Sequence, residues 1–405
     1  MTETPWYRDG RLHYGVGIED TFIPHEKLGH RKLDEYELTQ HYTHWREDLD
    51  LVAESGATFL RWGVPWYLVE PEPGVFDWSW LDQVAAHMQQ LGLRCIVDLM
   101  HYGTPLWLEN SFLNGSYPER VASYAAAVAE RYRDVWHDYT PLNEPVVNAE
   151  WCGLDGSWPP YLEGYDGFVR VMMQLARGMV RAQQEIERVA PDATIVHVDA
   201  GFRYEGDTGE YTLEFLNERR FLALDLITGR IDESAPLYDW LIGHGVTDAE
   251  LAWLRDNKVS PDIVGVNYYP RFTTLSYPGG NRTPVRSDAP GLRDLVQLYG
   301  ARYERPIIIT ETSLVGTAEE KIEWLRASRG ELDGLREEGH DVVGFTWFPF
   351  FTLVDWLYRF DQSKPDDWFM HFGLIDLVRG ADLNLERRKN AAFSEFQSLA
   401  APLSS

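Results

Sequence analysis

Two rhythms of apolar and polar positions take turns along this chain. Short, nearly continuous apolar runs predict eight strands: Leu12–Ile18, Thr58–Val64, Arg94–Met100, Tyr139–Asn143, Thr194–Asp199, Pro261–Asn267, Pro306–Thr310 and Val342–Phe348. The intervening stretches carry helical spacing. Gln40–Ser55 sets Leu49, Val52 and Ala53 on one face and stops at Gly56, and Trp80–Leu91 is closed by Gly92. Glu119–Arg133 opens after Pro118, and further helices are expected at Phe168–Val189, Tyr211–Ile227, Gly291–Tyr303, Glu319–Glu338 and Glu386–Leu399. Strands apolar along their whole length fit a parallel sheet covered on both faces. Regular strand–helix alternation, with no Gly-rich phosphate turn after the first strand, favours a closed (β/α)8 TIM barrel of the α/β class over a doubly wound sheet. No repeat, linker or low-complexity run divides the chain, so residues 1–405 are expected to form a single barrel domain. The irregular segments Trp151–Gly167, Tyr269–Pro290 and Phe351–Met370 each follow a strand end, where rim loops shape a pocket.

Two of the predicted strands run into glutamates. The first ends Thr140-Pro141-Leu142-Asn143-Glu144-Pro145, and the second ends Ile307-Ile308-Ile309-Thr310-Glu311. In a parallel barrel these positions lie on the C-terminal rim, where catalytic groups sit. Two carboxyl groups facing each other across that rim are what glycoside hydrolysis requires.

Composition narrows the partners. The chain has 405 residues, 44% hydrophobic, with a formal net charge of -27 spread along its length. That balance argues against nucleic acid and anionic membrane surfaces and favours a small neutral substrate. Aromatic residues make up 14% with 16 Trp, which suits both core packing and the apolar faces of sugar rings. Of the two cysteines, Cys95 lies in an apolar run and reads as core, and two cysteines make neither a disulfide framework nor a zinc motif. No metal or cofactor is called for. Met1–Trp6 lacks a charged-then-apolar signal pattern and no apolar run reaches membrane-span length, which points to the cytoplasm. His41 and His44 have helical spacing without a Glu between them and read as a solvated helix face.

Read together, these stretches resemble glycoside hydrolase family 1, the β-glucosidase and β-galactosidase family of retaining barrel enzymes. The matching stretches fall in the family's order: Tyr42–Trp66 with Asp48, Arg61 and Trp66, then Asp98-Leu99-Met100-His101-Tyr102 where the family has His followed by Trp. Asn143-Glu144-Pro145, Val264–Tyr269, Ile309-Thr310-Glu311, Trp347 with Asp355-Trp356, and His371–Leu374 follow. The resemblance implies that Glu311 is the nucleophile and Glu144 the acid/base, about 5–5.5 Å apart as in retaining enzymes. It also implies that Arg61 lowers the pKa of Glu311 and that Tyr269 donates to it. Asn143 is then expected at the sugar 2-hydroxyl, His101 at another hydroxyl, Trp347 as a stacking platform, Asn267 between the two carboxyl sites, and Asp355 with Trp356 around the non-reducing sugar. The family's first-strand Gln has no clean match; Glu19 or Asp20 lies closest. Other departures are one extra residue before Asn143, Thr312-Ser313 in place of Asn-Gly after Glu311, and Asp355 one residue further from Trp347 than the family's Glu. Ser363 and Lys364 raise the option of a 6-phosphate on the sugar, opposed by Asp361, Asp366 and Asp367. The expected function is an exo-acting retaining β-glycosidase. Its alternatives are another glycosidase of the same clan, such as a β-mannosidase or an endo-glucanase, or a sugar-binding barrel without turnover.

Overall fold

Eight parallel strands close on themselves in the order in which they occur: β1 (His13–Gly17), β2 (Phe59–Gly63), β3 (Cys95–Asp98), β4 (Asp138–Thr140), β5 (Thr194–Ala200), β6 (Ile263–Asn267), β7 (Ile307–Thr312) and β8 (Val342–Trp347). The structure, a computed structural model, describes residues 4–401. The first three residues of Met1–Trp6, and the two ends of the 1–405 span, lie outside the described residues. Alternate positions face inward along each strand. Phe59, Ile96, Val196, Ile263 and Ile308 therefore pack the barrel's interior, Val343 joins them at a register shift in β8, and Tyr7 closes its base. At least one helix follows each strand, the barrel's outer ring being α1 (His41–Glu54), α2 (Leu81–Leu91), α3 (Tyr117–Arg131), α4 (Gly164–Val189), α5 (Leu222–Ile227), α6 (Ala289–Tyr303), α7 (Ala318–Glu337) and α8 (Ala391–Ala400). Their apolar faces and the outward strand residues form a second, larger core. Among the described residues no helix is long and apolar enough to cross a membrane.

Local chemistry explains most of the boundaries. Gly92 ends α2 in a left-handed conformation, φ 67, and Pro118 sits in the first turn of α3. Thr317 and Glu320 form a reciprocal capping box at the start of α7.

Several expected helices differ: Phe168–Val189 begins four residues earlier, at Gly164, and Glu119–Arg133 runs from Tyr117 to Arg131. Tyr211–Ile227 is broken into Leu213–Arg219 and α5. Gly291–Tyr303 begins two residues earlier, at Ala289. Glu386–Leu399 is helical only from Ala391, because Leu385–Lys389 is a strand paired antiparallel with Ile375–Arg379. There Leu385 is buried while Glu386, Arg388 and Lys389 are exposed, and Arg387 turns in to pair with Asp48 at 2.8 Å. Asn390 then caps α8 through its side chain. His41 also departs from a solvated face: it is buried, with Nδ1 2.8 Å from Asp48, and accepts from Trp62 Nε1. His44 pairs with Glu47 at the surface.

Candidate active site

Strict alternation along β7 would send Ile308 inward, Ile309 outward, Thr310 inward and Glu311 outward. A register shift prevents this. Ile309 is opposite Val266, but Glu311, not Thr310, is opposite Asn267, the inward residue at the end of β6. A bulge of this kind re-aims a side chain, and here it turns the Glu311 carboxylate into the pocket. Thr310 also stays inward: its hydroxyl donates to Asn267 Oδ1 at 2.7 Å, and only a glycine at 265 leaves it space.

Arg61 from β2 ties this end of the barrel together. It is fully buried, and its Nη1 donates to Glu311 Oε1 at 2.9 Å and to the Thr310 carbonyl at 3.1 Å. Its Nη2 donates to Asp98 Oδ2 at 2.6 Å and to Asn143 Oδ1 at 3.0 Å. A planar guanidinium can span four acceptors in this way. The other Glu311 oxygen accepts from the Tyr269 hydroxyl at 2.6 Å. Burial first, and then the Glu311 charge, hold the Tyr269 pKa well above its usual value, so it stays a donor.

Glu144 meets different surroundings. Strand β4 ends at Thr140, and Asn143 makes a separate bridge to Val198 on β5, which absorbs the extra residue before the Asn-Glu pair. Glu144 has left-handed backbone, φ 43 and ψ 63, and Pro145 starts the helical turn that follows. Its Oε1 accepts from Asn267 Nδ2 at 2.8 Å and its Oε2 from the Tyr102 hydroxyl at 2.5 Å. No cation touches it among the described residues. Burial, and then the charge of Glu311, push its pKa up from 4.5 to about 8.

Asn143 is held by Arg61 with its amide nitrogen toward His101 Nε2, 3.0 Å, and the Tyr102 hydroxyl, 3.1 Å. That orientation makes His101 Nε2 the acceptor and leaves the ring proton on Nδ1, 2.8 Å from Asp20 Oδ1. Asp20 is seated against Gly63, where any side chain would collide with its Oδ2. Asp20, Asp98 and His101 have donor atoms within 4.8 Å of one another. The positive charge in that cluster is supplied by Arg61. Glu19 is buried beside them, with Oε1 accepting from Thr21.

The site opens into a cavity of about 390 Å³ whose walls include the carboxylates of Glu19, Glu144, Glu311 and Asp355. His101, Tyr269 and Trp356 also face it, and Arg61, Asn143 and Asn267 lie one layer below. Asp355 caps the turn it begins, accepting from Leu357 N at 2.8 Å. Trp347 does not line the cavity. It shares the outward face of β8 with Phe345, in the core between strands and helices, and its indole donates to the Phe372 carbonyl at 3.2 Å. The next residue, Phe348, takes the inward position, parallel to His101 at 6.3 Å and 5.5 Å from the Arg61 guanidinium. Ser363 and Lys364 also lie outside the cavity walls, and the Ser363 hydroxyl accepts from Trp368.

Sequence reasoning did not single out Tyr102, Asp98 or Phe348. Asp98 was within reach: it shares parity with the inward Ile96 on β3. Tyr102 and Phe348 lie beyond strand ends, where parity no longer applies.

Residues 2–207 match the sequence profile of glycosyl hydrolase family 1, half of the chain. Among curated proteins, a bifunctional beta-D-glucosidase/beta-D-fucosidase of Bifidobacterium breve is 23% identical over 79% of this chain and 81% of its own. A 6-phospho-beta-glucosidase of Dickeya chrysanthemi is 24% identical over 89% and 85%. The family 1 β-glucosidase of Thermotoga maritima superposes with a TM-score of 0.81 over 96% of this chain and 97% of its own, at 18% identity, a likeness of fold. With a closed (β/α)8 barrel and the profile match over half its length, the chain belongs to glycosyl hydrolase family 1 and is a glycosidase.

Proposed function

We propose that this enzyme is a retaining, exo-acting β-glycosidase that uses Glu311 as nucleophile and Glu144 as acid/base, with no cofactor. The observation that carries the reading is the contrast between two buried glutamates in one cavity. Glu311 accepts from a guanidinium on one oxygen and from the Tyr269 phenol on the other. Glu144 has only neutral donors beside it and a pKa raised to about 8, so at neutral pH it holds a proton.

In the first step Glu311 attacks the anomeric carbon while the bond to the aglycone oxygen breaks and that oxygen takes the Glu144 proton. The product is a glycosyl ester on Glu311. Esterification removes the Glu311 charge, one of the causes that hold the Glu144 pKa up, and Glu144 is left ionised. A water then gives Glu144 a proton as its oxygen attacks the anomeric carbon, and the ester bond breaks to restore the Glu311 carboxylate. Two inversions return the β-configuration.

The cavity suits a neutral glycon. Four carboxyl groups face it and, among the described residues, no Lys or Arg lines it, which disfavours a 6-phosphate although some relatives are phospho-β-glucosidases. Glu19, His101 and Asp355 are the residues we assign to its hydroxyls, with Asn143 at the 2-hydroxyl and Trp356 against the sugar face. Two alanine variants test the reading. Glu311→Ala should lose nearly all activity on every substrate, whereas Glu144→Ala should retain far more on dinitrophenyl than on alkyl glycosides, because a good leaving group needs no proton. Equal losses on both substrate types would refute the division of roles.

A further inference from the structure

Tyr102, which follows His101 on the rim, is built tightly into the site. Its ring is buried. Its backbone has φ 84, a left-handed conformation that is unusual for a bulky residue. The segment is pinned by a bridge to Phe22, by Asn148 Nδ2 donating to the Tyr102 carbonyl at 3.3 Å, and by Gly103, where a side chain would run into the Phe22 carbonyl. Trp158 and Trp356 pack the ring on its other sides, at 5.2 and 5.4 Å between centroids. Strained backbone held this firmly points to a function for the side chain it carries.

The hydroxyl of Tyr102 has two neighbours of different kinds. Asn143 Nδ2 donates to it at 3.1 Å, and Glu144 Oε2 lies 2.5 Å away. On the other side of the carboxyl, Asn267 is a fixed donor, because its own Oδ1 is occupied by Thr310. Only the Tyr102 side can therefore meet both protonation states of Glu144. The phenol donates to the ionised carboxylate, and its oxygen accepts when Oε2 carries the proton.

We propose that Tyr102 is the positioning residue for the acid/base, holding Glu144 in one orientation through both half-reactions and favouring its ionised form. The inference rests on the reading of Glu144 given above. The bond to the charged carboxylate is the stronger of the two, so its net effect is to lower the Glu144 pKa. It acts against burial and the Glu311 charge, and alongside Asn267. The titratable groups facing Glu144 are Glu311 from β7, Tyr269 after β6, and His101 and Tyr102 after β3. Burial and the two glutamate charges keep the Tyr102 phenol itself protonated.

The experiment is the pH dependence of kcat/KM for Tyr102→Phe beside the native enzyme. Loss of the phenol should move the alkaline limb upward by about one pH unit, a tenfold change in the ionisation constant. Deglycosylation, which needs Glu144 as a base, should slow, so kcat falls more than kcat/KM on dinitrophenyl substrates. Incorporating 3-fluorotyrosine at position 102, a stronger donor of nearly the same shape, should move the limb downward and covers the case in which the Phe variant folds poorly. Alkaline limbs unmoved in both proteins would overturn the proposal. A Glu144→Gln enzyme that kept the native alkaline limb would instead overturn the acid/base reading beneath it.

Discussion

Replacing Glu144 with Gln should make the protein more stable, and increasingly so as the pH rises. Below the ordinary carboxylate range, folded and unfolded chains both hold the Glu144 proton. Between 4.5 and about 8 the unfolded chain gives it up while burial and the Glu311 charge make the folded protein keep it. Over that window the folded state binds more protons, so native stability declines with pH and levels off above about 8. At about 1.4 kcal/mol for each pH unit of separation, the window is worth roughly 3–5 kcal/mol. Gln removes the titration and still fits the network. Its oxygen can accept from Asn267 Nδ2, and its amide nitrogen can donate to the Tyr102 hydroxyl, whose hydrogen rotates away. The assay is urea unfolding followed by tryptophan fluorescence for both proteins at pH 5 and pH 8. Other buried acids are common to the two proteins and largely cancel in the difference. The Gln variant should gain about 3–4 kcal/mol over the native protein between the two pH values. Stability curves that stay parallel across this range would refute the argument that Glu144 is buried as a proton-holding acid.

Two further perturbations probe the walls of the site. Asp355→Ala should lower kcat/KM roughly ten- to hundredfold, the value of hydrogen bonds from a charged partner to sugar hydroxyls, and unchanged kinetics on the best substrate would remove Asp355 from the glycon site. Asp355→Asn keeps an acceptor for Leu357 N and so separates that loss from loss of the cap. Arg61→Lys keeps the charge but cannot span Glu311, Thr310, Asp98 and Asn143 at once. It should cost about 3–5 kcal/mol in urea unfolding and at least about a hundredfold in kcat; a variant near native in both would show that the fork is not needed.

The barrel was legible because its strands are apolar almost throughout, which only a sheet covered on both faces tolerates. Arg61, Glu144 and Glu311 were legible because strand ends fix where such residues sit. Trp347 was misplaced because strict alternation from the inward Val343 would turn it inward, whereas a register shift between Val342 and Gly344 puts it on the outward face with Phe345 and leaves the pocket to Phe348. Leu385–Lys389 misled because a charged, half-exposed hairpin strand and a charged surface helix look alike over five residues. The contacts of His101 with Asp20 and of Tyr102 with Glu144 were out of reach. They join residues 81 and 42 positions apart, respectively, across a closed barrel, and the second depends on a left-handed backbone at Tyr102.

Azide rescue with assignment of the product anomer tests the central claim most directly, because it reports on both glutamates and on the two-step course together. Glu144→Ala, still able to form the ester on Glu311, should yield a β-glycosyl azide from an activated β-glycoside. Glu311→Gly should yield the α-azide, since azide then takes the place of the missing nucleophile. Exchanged anomers would mean that the two roles are reversed, and no glycosyl azide from either variant would contradict double displacement by Glu311 and Glu144.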